Sequence, residues 1–179
     1  MSTTVLHEGR FVRLVNRDGY EFAQRTHARG VVVILAVTDD DRLILIEQPR
    51  PPVGGSVIEL PAGLAGDIAG AESEPLEEAA RRELLEETGY TCKELRKLTE
   101  APPSPGMISE VYTVFLATGL TRVAQGGGDH TESITVFEVP LFDVGPWLSH
   151  AERRGARVAM TVYGGLGLLA LNRQAGVAL

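Results

Sequence analysis

Three glutamates within five residues dominate what this chain could do. Glu83 and Glu87 are four apart in the stretch Glu74 to Tyr90, so on a helix they share one face, a turn apart. Glu86, three from Glu83, flanks the same stripe. Like charges at that spacing cost an isolated helix roughly a few tenths of a kcal/mol each. A bound divalent cation removes that cost, and carboxylate oxygens without thiols suit a hard ion such as Mg²⁺ or Mn²⁺. The same acids also fit a solvent-facing helix in which Arg81 and Arg82 supply ion-pair partners. Spacing alone leaves both readings open.

The elements that must hold these acids follow from periodicity and punctuation. Glu74 to Tyr90 reads as an amphipathic helix after a glycine-rich loop, with Ser73 as N-cap and Gly89 as stop. Glu77 and Glu78 read as first-turn charge favoured by the helix dipole. Gly30 to Val37 is a continuous β-branched run, expected as a buried strand. Thr38 to Asp41 is a turn, and Arg42 to Glu47 is expected to pair back on the first strand as a hairpin. Pro49 to Gly55 is not expected in a central strand, because its prolines lack donors. Further strands are expected at Phe11 to Val15, Tyr20 to Thr26, Ser56 to Leu60, Cys92 to Leu98, Glu110 to Thr118 and Ile134 to Val139. Helices are expected at Leu141 to Ala151 and Thr161 to Gln174, the latter despite its three glycines. Strands, one helix, more strands and closing helices give a mixed α/β or α+β class.

The run RELLEETGY, Arg82 to Tyr90, resembles the core of the Nudix box, with Glu74 at the position of its earlier glutamate. Glu47-Gln48-Pro49-Arg50 and Glu59-Leu60-Pro61-Ala62-Gly63 resemble the segments before the box in the ADP-ribose pyrophosphatase branch of the Nudix hydrolases. Pro103-Ser104-Pro105-Gly106 resembles the proline signature after it. The matches span roughly Gly30 to Pro140. One position departs: the box normally opens with glycine where Ile68 stands, which points to a short insertion, Ala65 to Ala71. The resemblance implies an α/β/α sandwich with a mixed sheet between helices, as one domain over 1–179. Residues 1–28 would supply N-terminal strands and 29–179 the catalytic core.

It also implies a reaction. A nucleoside diphosphate linked to another moiety would be hydrolysed with Mg²⁺ (or Mn²⁺), ADP-ribose giving AMP and ribose 5-phosphate. Other nucleoside diphosphate sugars such as GDP-mannose are the competing substrates. Glu83, Glu86, Glu87 and the Ala62 carbonyl would hold metal, and Arg82 would orient the glutamates. The segment Asp129 to Val136 resembles a loop and strand that carry the general base, with Glu132 at the glutamate position and Asp129 and His130 as runners-up. A solvated hairpin tip is the plainer reading of the same loop. Arg50 is the candidate contact to phosphate or ribose, because its planar fork suits phosphate oxygens. Glu59, in an otherwise apolar strand, is expected to bond substrate or the metal surroundings. Glu110 and Pro105 complete the substrate-binding set by resemblance. No residue that stacks on a base stands out; Tyr20, Phe22 and Tyr112 remain candidates beside plain core packing. Members of the branch usually form homodimers through N-terminal strands, and Phe11 to Thr26 could serve.

Composition narrows the remainder. The net charge of −7 argues against a nucleic-acid-binding surface, and an anionic substrate would need local compensation from metal and arginines. Cys92 is the only cysteine, so neither an intramolecular disulfide nor a cysteine zinc site is expected. No apolar run reaches membrane-spanning length, and MSTTVLHEGR lacks the pattern of a signal peptide. The cytoplasm is the expected compartment. Two other classes stay in view. A sensor that keeps the fold without catalysis would tolerate loss of ligands, yet the acids are all present. A structural Ca²⁺ site would want Asp- and Asn-rich loop ligands.

Overall fold

Period-two alternation in one buried strand decides the layering. In the computed structural model, which describes residues 2–128 and 133–175, strand β4 (Gly30–Ala36) is buried at six of seven positions. Its side chains alternate between two cores. Val33 and Leu35 join Leu43, Leu45, Ile58 and Leu60 in one. Val32, Ile34 and Ala36 join Ile44, Ala79, Ala80, Leu84 and Phe115 in the other. Helix α1 (Leu76–Thr88) covers the second core, while α2 (Val144–Arg153) and α3 (Met160–Gln174) cover the first. Helices therefore flank the strands on both sides in a mixed α/β fold, as expected.

Three sheets are present among the described residues. One holds β7 (Ala62–Ala65), β4, β9 (Tyr112–Arg122) and β8 (Tyr90–Ala101), in that order, with β4 and β9 parallel. A second holds β10 (Thr135–Pro140), β5 (Arg42–Arg50), β6 (Gly55–Glu59) and β11 (Arg157–Val158). The third is an N-terminal meander of β1 (Thr3–Glu8), β2 (Val12–Arg17) and β3 (Tyr20–Arg25). It meets the body at a bridge between Ala23 and Ile108.

The expected hairpin of Gly30 to Val37 with Arg42 to Glu47 does not form. β4 and β5 belong to different sheets and share only the bridge Val37 to Leu43. Both strands are buried on both faces, and each takes two partners from later in the chain. The Thr38–Asp41 turn is real, closed by the Thr38 N–H on the Arg42 carbonyl at 2.9 Å, but it turns a corner between sheets. Pro49 and Arg50 also finish β5 rather than lying outside it. Pro49 pairs with Ser56 of β6, whereas β10 on the other side reaches only Glu47, so the missing proline donor leaves no gap.

Helix α1 begins later than expected. Pro75 occupies the N-cap position in extended conformation, with no side-chain cap, so Ser73 does not cap and Glu74 lies outside the helix. A proline biases the residue before it away from helical conformation. Glu77 and Glu78 do occupy the first turn, and Gly89 ends the helix at φ 76°. No described helix is long and apolar enough to cross a membrane.

Candidate active site

The second half of α1 points its acids at the start of β7, and one arginine ties them together. The Arg82 guanidinium donates from Nε and Nη2 to both Glu74 oxygens at 2.9 and 3.0 Å. Nη1 donates to Glu83 at 2.8 Å and to Glu86 at 3.1 Å, and Nη2 also reaches the Leu64 carbonyl at 2.9 Å. A guanidinium has five N–H donors, so Arg82 is saturated. Glu74 holds its pKa above even the usual arginine value, and Arg82 in turn holds Glu74 below the usual carboxylate range.

Glu83 and Glu87 are the inward-facing acids. Burial pushes the Glu83 carboxyl up to about 7, against the opposing pull of Arg82. A methyl group on Gly63 would lie 1.9 Å from the Glu83 carboxyl carbon, so only glycine lets this side chain lie against the β7 backbone. Glu87 is buried, and the Ala62 N–H donates to its Oε2 at 2.9 Å. The structure thus brings together Ala62, Glu83 and Glu87. Glu86, on the rim, is about half exposed.

Glu83, Ala62 and Gly63 line a cleft of about 450 Å³ together with Arg50, Glu59 and Tyr112. Arg50 donates through Nε to Glu59 at 2.7 Å, which gives Glu59 the partner its apolar strand required. Arg25 of β3 also lines the cleft and is paired with Glu110. Glu110 borders a neighbouring cavity that shares Arg25. Sequence reasoning missed Arg25; it lies in a weakly alternating segment, and nothing local marks it as different from Arg13 or Arg17. Asp67, in the loop between β7 and α1, lines the same cleft 3.9 Å from Arg82. Pro105 is exposed in a turn outside the cleft lining, whereas Pro103 contributes to the wall. Of the proposed stacking residues, only Tyr112 reaches the cleft; Tyr20 is exposed and Phe22 lies under Arg17. Glu132, Asp129 and His130 fall outside the described residues.

The donor set suits a hard divalent cation: carboxylates, backbone carbonyls at the start of β7, and no thiol in the cleft lining. Among the described residues, no three acidic, imidazole or thiol side chains are grouped to hold an ion as they stand. Glu74, Glu83 and Glu86 each accept from Arg82.

Similarity to known proteins extends over the same residues. The NUDIX domain family profile matches residues 26–156. An ADP-ribose pyrophosphatase of Bacillus subtilis is 39% identical over 135 residues, covering 75% of this chain and 69% of that one. A GDP-mannose pyrophosphatase of Citrobacter koseri is 32% identical over 139 residues, covering 73% of this chain and 70% of that one. A solved ADP compounds hydrolase superposes over 99% of this chain and 95% of its own with a TM-score of 0.70, at 20% sequence identity, a likeness of fold.

Proposed function

The chain belongs to the NUDIX family, and on that premise we propose that it hydrolyses nucleoside diphosphate sugars, ADP-ribose first among them, with Mg²⁺ as its metal. The observation that carries this reading is the meeting of Glu83 and the buried Glu87 with the Ala62–Gly63 backbone beside a cleft that Arg25 and Arg50 also line. The ADP-ribose pyrophosphatase relative supports the choice of substrate. The GDP-mannose pyrophosphatase relative supports GDP-mannose as the second reading.

Nudix hydrolases generally need a divalent metal. Glu83, Glu86, Glu87 and the Ala62 carbonyl would hold it. When bound, such an ion neutralises phosphate oxygens and acidifies its water. The rest falls to the chain's own groups. Arg50 and Arg25 bind diphosphate oxygens through the donors their carboxylate partners leave free. Glu59 and Glu110 hold those arginines in place. Arg82 positions the glutamates, and its two bonds to Glu74 keep it seated when Glu83 and Glu86 turn toward a cation. Glu132 takes the proton of the attacking water, an assignment that rests on the resemblance of its segment alone. The P–O–P bridge breaks, and a nucleoside monophosphate and a sugar phosphate leave.

The protein acts as a homodimer in this reading. The N-terminal meander buries only Val15 of its large apolar side chains and leaves Val5, Leu6, Phe11 and Leu14 at 40 to 63% exposure. A small three-stranded sheet with so little cover gains stability from a partner surface. Light scattering that gives the mass of one chain would remove this part. The partly buried, unpaired Cys92 suits the reducing cytoplasm.

The deciding experiment measures product from ADP-ribose and a panel of nucleoside diphosphate sugars with Mg²⁺, with Glu87→Gln alongside. AMP and ribose 5-phosphate formed fastest from ADP-ribose, and a dead variant, are expected. Silence on the whole panel with both Mg²⁺ and Mn²⁺ would favour a non-catalytic sensor.

A further inference from the structure

The C-terminal end of α1, where the ligand carboxylates sit, is completed by a distant segment. A helix leaves its last four carbonyls without intrahelical partners. Here the Gly127 N–H donates to the Glu87 carbonyl at 2.8 Å and the Gly128 N–H to the Glu86 carbonyl at 3.0 Å. The Val123 and Ala124 N–H groups both donate to the Gly89 carbonyl, at 2.9 and 3.1 Å. The main chains cross at two glycines. A methyl on Gly126 would lie 2.4 Å from the Thr88 carbonyl carbon, and one on Gly89 would lie 2.2 Å from the Ala124 oxygen. Both glycines have positive φ, 73° and 76°, so each is demanded twice, by conformation and by space.

A glycine stop alone needs only Gly89. The second glycine and the paired amides fix the last turn of α1 against sliding or fraying. That turn carries Glu86 and Glu87, whose own carbonyls are the acceptors. We propose that residues 123–128 are a positioning element for the cation site, with Gly126 its critical residue. The segment clamps the backbone of Glu86 and Glu87 so that their carboxylates meet a divalent cation in one fixed relation. This rests on the reading that these glutamates hold the ion. It adds that affinity for the ion is set partly by a loop that does not itself ligate it.

The test is calorimetric titration of Mn²⁺ into the full chain without substrate, for wild type, Gly126→Ala and Gly155→Ala. Gly155 is the control, a positive-φ turn glycine whose added methyl would meet nothing within 4 Å. Gly126→Ala should weaken Mn²⁺ binding by about tenfold or more, the scale of lost outer-shell support. The Mg²⁺ needed for half-maximal activity should rise by the same factor, with KM for substrate at saturating Mg²⁺ unchanged. Gly155→Ala should lower the melting temperature and leave metal affinity alone. Wild-type affinity in folded Gly126→Ala overturns the proposal, however much its stability falls. If that variant does not fold, Gly127→Ala, whose methyl clears the Ile134 carbonyl oxygen by 3.8 Å but whose φ of 115° strains an alanine, carries the same expectation. On the wild type, Mg²⁺ should slow hydrogen exchange at the Gly127 and Gly128 amides about tenfold, and unchanged exchange rejects the clamp. A wild type that binds Mn²⁺ but hydrolyses nothing refutes the proposed function and leaves this inference to the calorimeter. A wild type that binds no Mn²⁺ refutes this inference.

Discussion

The helix wall around α1 and the strand wall around β3, β5 and β6 use the same side chain in opposite ways. On the helix wall, Arg82 gives all five of its N–H donors to the protein. On the strand wall, Arg50 and Arg25 each give one, through Nε, to a carboxylate, and both amino groups have no acceptor among the described residues. Their side chains are 42% and 39% exposed, against 21% for Arg82. A saturated guanidinium can position its neighbours but has nothing left for a ligand. An unsaturated one, held at one edge, keeps a fork free for phosphate. Counting donors thus separates scaffold from contact where charge alone does not.

Substitutions in both groups test that contrast. Glu87→Gln should have the largest effect. It removes the charge of the buried carboxylate proposed to hold the metal, and charge stabilisation of several kcal/mol at about 1.4 kcal/mol per tenfold means that kcat should fall by a hundredfold or more. Steady-state rates on the preferred sugar check it, and an active variant would end the helix-wall assignment. Arg82→Lys comes next. Lysine offers three donors to five acceptors, so metal affinity should fall about 10–100-fold. Stranded carboxylates should also cost about 1–3 kcal/mol of stability in urea denaturation. A fully active, stable lysine variant would erase the distinction between the walls.

Arg50→Ala or Arg25→Ala should instead raise KM roughly tenfold, the worth of one charged hydrogen bond, and hold kcat near wild type. With the arginines about 40% exposed and solvent screening each pair, loss of either should cost about 1 kcal/mol of stability. A stability loss larger than that of Arg82→Lys would invert the comparison.

The smallest expected effect is a pH slope. The Glu83 carboxyl is raised from 4.5 to about 7 in the folded chain. The folded state therefore holds a proton that the unfolded state releases between those values. That stability is complete below about 4.5 and is lost as pH rises through about 7. In metal-free protein, Glu83→Gln should flatten denaturation midpoints across this window. An unchanged slope would show that the buried environment of Glu83 is not what sets it.

Much of the helix wall could be read from the chain because its chemistry is local. The i, i+4 acids, the arginine inside their run and the glycine stop lie within sixteen residues of Glu74, and α1 presents them as spacing implies. The start of α1 was less legible, because Pro75 and the pull of Arg82 on Glu74 outweigh the capping preference of Ser73. The strand wall is assembled from β3, β5 and β6, and no local signal joins Arg25 to Arg50. The assignment of β4 and β5 to one hairpin failed for a related reason. Two apolar runs joined by a tight turn look the same whether they pair with each other or each seeks later strands. The N-terminal strand β1 was unread because its six residues are all exposed and carry no buried pattern.

The parallel register of β4 with β9 bears on how the molecule is made. Val31 meets Tyr112, and Thr135 of β10 meets Glu47, so the two central strands wait for partners some eighty or more positions downstream. Loop closure over such spans must precede any reward from pairing, which slows folding. A nascent chain that has emerged only through α1 can pair β4 with β7 and β5 with β6, but it lacks β9 and β10 on their other edges. Its apolar β4 and β5 then stand open to other chains. Refolding in the range of milliseconds to seconds, with aggregation that rises with concentration, is the kinetic cost of placing the two central strands so early in the sequence.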